Sequence, residues 1–264
     1  MPRFAANLTM MFNEVPFLDR FEAAATAGFT AVEFLFPYDY PAVEIGERLQ
    51  RHGLTQALFN LPPGNWPEER GLAALPDRFA DLQASFRIAL PYAQATGVKR
   101  VHLMAGMISR NDRRAVSAFH KSVVTAAEFF APHGIDVVLE PLNPRNTPGY
   151  FLNDFGFARD LIIGWNLPNL KLQFDIYHCQ ILHGDVTMRL REMMPITGHI
   201  QIASIPSRNE PDGEELNYPF LFDELDRLGY DGFVGCEYNP RGNTTDGLAW
   251  FKPYAGVKPT GVKS

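Results

Sequence analysis

The chain keeps one rhythm from end to end, and that rhythm limits its fold more than any single motif. Short runs rich in β-branched and aromatic residues are each followed by a stretch of helical periodicity, with glycine or proline between them. The first run covers 4–12, and the helical stretch 16–27 stops at Gly28. AVEFLFP (31–37) reads as strand and 41–53 as helix, with Pro41 in its first turn and Gly53 as its stop. Strand 54–62 opens into PPGNWPEERG, a loop too polar for the core. Helix 76–96, strand 100–106, helix 111–133 (Asn111 as N-cap, Gly134 as stop), strand 135–143 and helix 153–165 follow. Strand 170–178, helix 185–197, strand 199–205, helix 218–228, strand 232–240 and a short amphipathic tail at 247–256 complete the series.

Eight strand–helix units in 264 residues match a single (β/α)8 barrel, which takes about 250. A doubly wound sheet is the rival architecture. It normally carries a glycine-rich phosphate turn, and this chain has neither GxGxxG after its first strand nor GxxxxGK[ST] anywhere. With no Gly/Ser-rich linker in sight, residues 1–264 read as one barrel domain with a short C-terminal tail from about 257. The charge balance of 24 Lys+Arg against 30 Asp+Glu, −6 in all, argues against a generic nucleic-acid surface. Cys179 and Cys236 cannot form a disulfide framework and read as buried packing thiols. The N-terminus lacks the pattern of a signal peptide, and no run is long enough to span a membrane. A cytoplasmic protein is expected, free of membrane and nucleic-acid partners; a homo-oligomer is left open.

Barrels of this kind place their chemistry at the C-terminal ends of the strands. Four strands carry a polar residue late in an apolar run: Glu140 in VVLEPLN, Asp175 in LQFDIYH, Gln201 in HIQIAS and Glu237 in VGCEYNP. Strand parity turns all four inward. Val137 and Leu139 share the face opposite Glu140, while Leu172, Phe174 and Ile176 leave Gln173 and Asp175 inside. Ile200 and Ile202 leave His199 and Gln201 inside, and Cys236 lies opposite Glu237. Three converging carboxylates would repel one another and raise their pKa values unless a cation joined them. Carboxylate and amide oxygens suit a hard divalent ion, Mg²⁺ or Mn²⁺, better than zinc. Other features have plainer readings: Met10, Met11 and Phe12 as lining and mouth, and His102 as a lower-barrel residue with a satisfied hydrogen bond. Phe34, Phe36 and Tyr38 serve as wall or as packing, and Trp66 sits on a loop that could form a lid.

These residues lie within longer stretches of familiar sequence. FAANLTMMFNEVPF, AVEFLFPYDY, FNLPPG, LEPLN, QFDIYHCQ, GHIQIASIPSRNEP, GEELNYPFLF and FVGCEYNPRG together resemble the hydroxypyruvate isomerase family. Its barrel superfamily also holds the ketose 3-epimerases, xylose isomerases and endonuclease IV. The resemblance runs nearly the whole chain. MPRFAANL, FLFPYDY, HLMAG and PRG look closer to the 2-oxo-tetronate isomerase branch, LEPLN and FDIYH to hydroxypyruvate isomerase proper.

The resemblance implies Glu140 and Glu237 as the acid–base pair, and Glu140, Asp175, Gln201 and Glu237 as ligands of a divalent cation. Gln201 stands where the 3-epimerases carry histidine, and a dispensable cation is left open. It implies substrate contacts at His178 and Arg208, the latter the best candidate for gripping a substrate carboxylate. The expected reaction interconverts hydroxypyruvate and tartronate semialdehyde, or the 2-oxo- and 3-oxo-tetronate pair, through an enediolate. A ketose 3-epimerase using the same glutamates is the alternative. A nuclease of the endonuclease IV kind would need more His and Asp ligands and a basic groove.

Overall fold

A computed structural model describes residues 1–256; the tail expected from about 257 lies outside the described residues. Eight parallel strands close into a barrel: β1 (Arg3–Asn7), β2 (Ala31–Phe34), β3 (Thr55–Asn60), β4 (Arg100–His102), β5 (Asp136–Leu139), β6 (Leu170–Asp175), β7 (Thr197–Ile202) and β8 (Phe233–Cys236). Each strand pairs with its sequence neighbour, and β8 returns to β1 with Ala5 opposite Gly235. The connecting helices are α1 (Arg20–Thr26), α2 (Ala42–His52), α3 (Phe79–Thr96), α4 (Arg113–Phe130), α5 (Phe155–Trp165), α6 (Ile176–Leu182), α7 (Val186–Met193) and α8 (Tyr218–Arg227). The expected (β/α)8 barrel is the observed one. No helix of the described residues is long and apolar enough to cross a membrane.

Alternation along the strands builds two cores. Outward residues Val137, Leu139, Leu172, Phe174, Ile200, Ile202 and Cys236 are buried in the large apolar layer shared with the helices. Phe34 belongs to it too, its ring edge-on to Phe17 and Phe21. Inside the barrel a separate small cluster of Ala5, Ala31, Ala57 and Phe233 fills the lower bore, with the Arg3 guanidinium 4.6 Å from the Phe233 ring.

Above that plug the bore is polar. Glu33, 1% exposed, accepts from Asn7 Nδ2 (3.0 Å) and Gln201 Nε2 (2.9 Å) and meets His199 Nε2 at 2.7 Å. A carboxylate only accepts, so each partner must turn an N–H toward it. Gln201 therefore points its amide nitrogen at Glu33 and its carbonyl oxygen at Gln173 Nε2, 2.6 Å away. Gly235 makes room for this arrangement. A Cβ there would sit inside the contact radius of both Glu33 carboxylate oxygens.

The strands end earlier than the sequence pattern predicts, always on the C-terminal side. β1 stops at Asn7, whose carbonyl and side chain take the amides of Met10, Met11 and Thr9, where 4–12 was expected. β6 stops at Asp175, not His178. The Asp175 carboxylate accepts from the amides of Tyr177 (2.6 Å) and His178 (3.2 Å), capping α6, a helix the pattern did not predict. Ile176 is thus helical. At α4 the side-chain cap is Asp112, accepting from Arg114, and not Asn111.

A Gly235→Ala substitution should cost about 1–3 kcal/mol, because Glu33 cannot retreat without breaking its bonds. Thermal denaturation followed by circular dichroism reads this as a lowered midpoint; an unchanged midpoint would show that the bore yields freely.

Candidate active site

The early strand ends deliver the polar residues to one mouth. Glu140 follows β5 directly, Asp175 ends β6, His178 lies in the first turn of α6, Arg208 in the loop after β7, and Glu237 follows β8. Arg208 Nη2 donates to Glu237 Oε1 at 3.1 Å, and its guanidinium carbon lies 5.0 Å from the Tyr177 ring. Arg208 has a left-handed backbone, φ 58°, set by hydrogen bonds that cross-link neighbouring loops. Its own amide donates to Ser204 O (2.9 Å), and its carbonyl accepts from Asn239 (2.9 Å). Glu140, Asp175, His178, Arg208 and Glu237 are thereby brought together. Gln201 faces inward and lines a small cleft with Glu140 and Glu237, while its amide is engaged by Glu33 and Gln173.

His102 differs from expectation. β4 is only three residues long, so its last residue stands at the rim and not in the lower barrel. The ring is buried, neither nitrogen has a hydrogen-bond partner, and Nδ1 lies 3.6 Å from Glu140 Oε2. His102, Glu140, His178, Arg208 and Glu237 share a cavity of about 300 Å³ with Trp66 and Arg70, which belong to the loop after β3.

Burial and crowding set the proton affinities. Glu140 is raised well above the usual carboxylate range by burial, then by the charges of Glu237 and Asp175, with Arg208 pulling the other way. Burial lifts Glu237 to about 8 against Arg208's pull, with Asp175 and Glu33 adding repulsion. Asp175 reaches only about 6: burial raises it, while Arg208 and the amides of His178 and Tyr177 hold it down. Burial and crowding therefore favour the protonated form of both glutamates, while the capping amides and Arg208 restrain Asp175. Burial, then the charge of His199, depresses His102 to about 3. His178 falls well below its usual value through burial, then Arg208 and His102. Both imidazoles are neutral hydrogen-bonding groups here. Burial also lifts Cys179 to about 12 and keeps Cys236 well above the usual thiol range, as packing thiols require.

Glu140, Asp175 and His178 offer atoms within 4.8 Å of one another. Glu140 Oε1 is buried without a partner, and Asp175 gives the helix cap only Oδ1, so both carboxylates suit a hard cation. His178 fits less well. Its Nδ1 accepts from the Asn143 amide at 2.9 Å, which places the ring proton on Nε2, the atom facing Asp175 Oδ2 at 3.7 Å.

Residues 21–254 match the family model described as xylose isomerase-like TIM barrel. The chain is 53% identical over 259 residues to 2-oxo-tetronate isomerase of Cupriavidus necator, covering 97% of this chain and 100% of that one. The chain belongs to the hydroxypyruvate isomerase family of xylose isomerase-like barrels. Hydroxypyruvate isomerase of Escherichia coli is 38% identical over 257 residues, covering 96% of this chain and all of that one. A crystal structure from Brucella melitensis, described as an AP endonuclease of family 2, superposes with a TM-score of 0.94 at 52% identity, covering 97% of this chain and 100% of that one. The strand-end carboxylates Glu140 and Glu237 are legible in the sequence from position and parity. Glu33 and His102 were missed, although both face inward by the same alternation.

The raised Glu237 makes a pH prediction. The folded chain holds this proton more tightly than the unfolded chain, so Glu237 erodes wild-type stability as pH rises from about 4.5 through about 8. Glu237→Gln removes the titrating group. Its stability advantage over wild type should widen across that window in metal-free buffer, read by urea denaturation; a constant difference would refute the assignment.

Proposed function

We propose that this chain isomerises a small oxo-acid, moving a proton between adjacent carbons through an enediolate, with 2-oxo-tetronate as the favoured substrate. The observation that carries this reading is the pair Glu140 and Glu237, two buried carboxyl groups of raised proton affinity in one cavity. A carboxylate at its ordinary pKa is too weak a base to take a C–H proton next to a carbonyl, so crowding and burial prepare this pair for it. The relative with more than half its residues in common acts on 2-oxo-tetronate by name, which supports the four-carbon acid over the three-carbon one.

The balance of the step is simple. One glutamate in its ionised form removes the proton on C3, and the electron pair moves to give an enediolate across C2 and C3. The proton is returned to C2, and the hydroxyl proton on O3 passes to O2, so nothing is oxidised or reduced overall. Donors for the developing negative charge belong to residues that line the cavity: His178 carries its proton on Nε2, and Arg208 Nε has no hydrogen-bond partner. His102, neutral and unpartnered beside Glu140, can take or give a hydroxyl proton without competing as a charge. A divalent cation, Mg²⁺ or Mn²⁺, would be held by Glu140 and Asp175 and would supply Lewis-acid stabilisation of the enediolate oxygens.

Glu140→Gln and Glu237→Gln should each lower turnover by at least about 10²–10⁴-fold while the barrel stays folded. Assays on 2-oxo-tetronate, hydroxypyruvate and a free ketose, with and without EDTA and run in D₂O, test this reading. Deuterium should appear on the carbon that receives the proton. Epimerisation of the ketose with no turnover of either acid would replace the reading by a 3-epimerase.

A further inference from the structure

The oxo-acid reading leaves the substrate's own carboxylate without a partner, because Arg208 is committed to Glu237 and surrounded by Asp175 and Glu140. A second anion beside three carboxylates needs a cation of its own. Two cationic side chains line the cavity, and the other is Arg70. Its guanidinium carbon lies 4.9 Å from the Trp66 ring, Nε donates to Pro67 O at 3.2 Å, and Nη1 lies 3.5 Å from Thr147 Oγ1. All these partners are neutral, and among the described residues no carboxylate lies within ion-pair distance of it. The other arginine of the cavity, Arg208, is paired with Glu237, and Arg78, which braces the loop after β3, is paired with Glu69 and Asp81.

The backbone presents Arg70 deliberately. It is left-handed at φ 46°, a conformation that glycine takes more easily, yet the residue is arginine. The loop is braced on both sides of it. Glu69 accepts from the Asn65 amide (2.7 Å) and from Arg78, and its carbonyl accepts from Met107 (2.9 Å). Gly71 donates to Pro63 O (2.8 Å) and bridges Ala105. A stacked guanidinium with an open fork on a fixed loop is suited to bidentate capture of a planar carboxylate.

We propose that Arg70, and not Arg208, binds the substrate carboxylate and so selects oxo-acids over uncharged ketoses. Arg70 is then a specificity determinant at the wall opposite the reacting carbons, while Arg208 serves the enediolate. This rests on the oxo-acid reading, and the test keeps the two separable.

Calorimetric titration with erythronate, a four-carbon hydroxy-acid without a carbonyl, and with erythritol, its uncharged counterpart, probes binding without turnover. Arg70→Met should weaken erythronate by about 10- to 100-fold, and Arg70→Lys by less, since it keeps the charge and loses the fork. Erythritol should bind both variants and wild type alike, and circular dichroism should show the same fold. On 2-oxo-tetronate, Arg70→Met should raise KM with kcat nearly retained, the mark of lost uniform binding. Wild-type erythronate affinity in Arg70→Met, or no erythronate binding by wild type, would overturn the proposal. Failure of wild type to isomerise any oxo-acid would overturn the functional reading alone, because erythronate binding still reports on Arg70.

Discussion

The Glu33 carboxylate in the bore of the barrel is the constraint on which the site rests. It is almost fully buried, and burying a charge is costly unless donors surround it. Asn7, Gln201 and His199 supply them from two other strands, so β1, β2 and β7 are tied through one side chain. Gly235 on β8 leaves the space. This knot dictates which way Gln201 faces. A bore filled only with aliphatic layers would close the barrel equally well, but would not orient these amides.

Above that floor the chemistry follows from crowding. Glu140, Asp175 and Glu237 cannot all ionise freely beside a single arginine, and burial sharpens the conflict. The resolution is unequal: helix-capping amides favour the ionised form of Asp175, whereas burial and repulsion favour the protonated form of the two glutamates. One environment thus produces an ion for charge balance and a pair suited to moving protons. The same logic separates the two arginines of the cavity. Arg208 is paired with a carboxylate of the protein, whereas the partners of Arg70 are all neutral.

The sequence showed the barrel clearly because eight strand–helix repeats leave little alternative, and it showed Glu140, Asp175 and Glu237 because inward parity and strand-end position coincide there. Strand ends were read too long, since Tyr177 and Ile176 favour strands locally and only the Asp175 cap makes them helical. His102 was misplaced because β4 is three residues long, a length that its apolar continuation conceals. Glu33 sits two residues into an apolar run and looks like a strand-edge glutamate until its partners are seen. Parity turned Gln201 inward correctly, but its amide partners, Glu33 and Gln173, are visible only in the tertiary structure.

Periodicity, glycine stops and inward alternation are local properties, and they sufficed to determine a (β/α)8 barrel of the hydroxypyruvate isomerase family with carboxylates at its mouth. What tertiary structure decided was depth, partnership and proton affinity. Whether Gln201 meets Glu33 or the mouth, whether Arg208 or Arg70 is free, and which carboxyl group keeps its proton all depend on side chains far apart in sequence. Electrostatic energies in a buried site are set by distances across the barrel, and those distances exist only once the eighth strand has closed on the first.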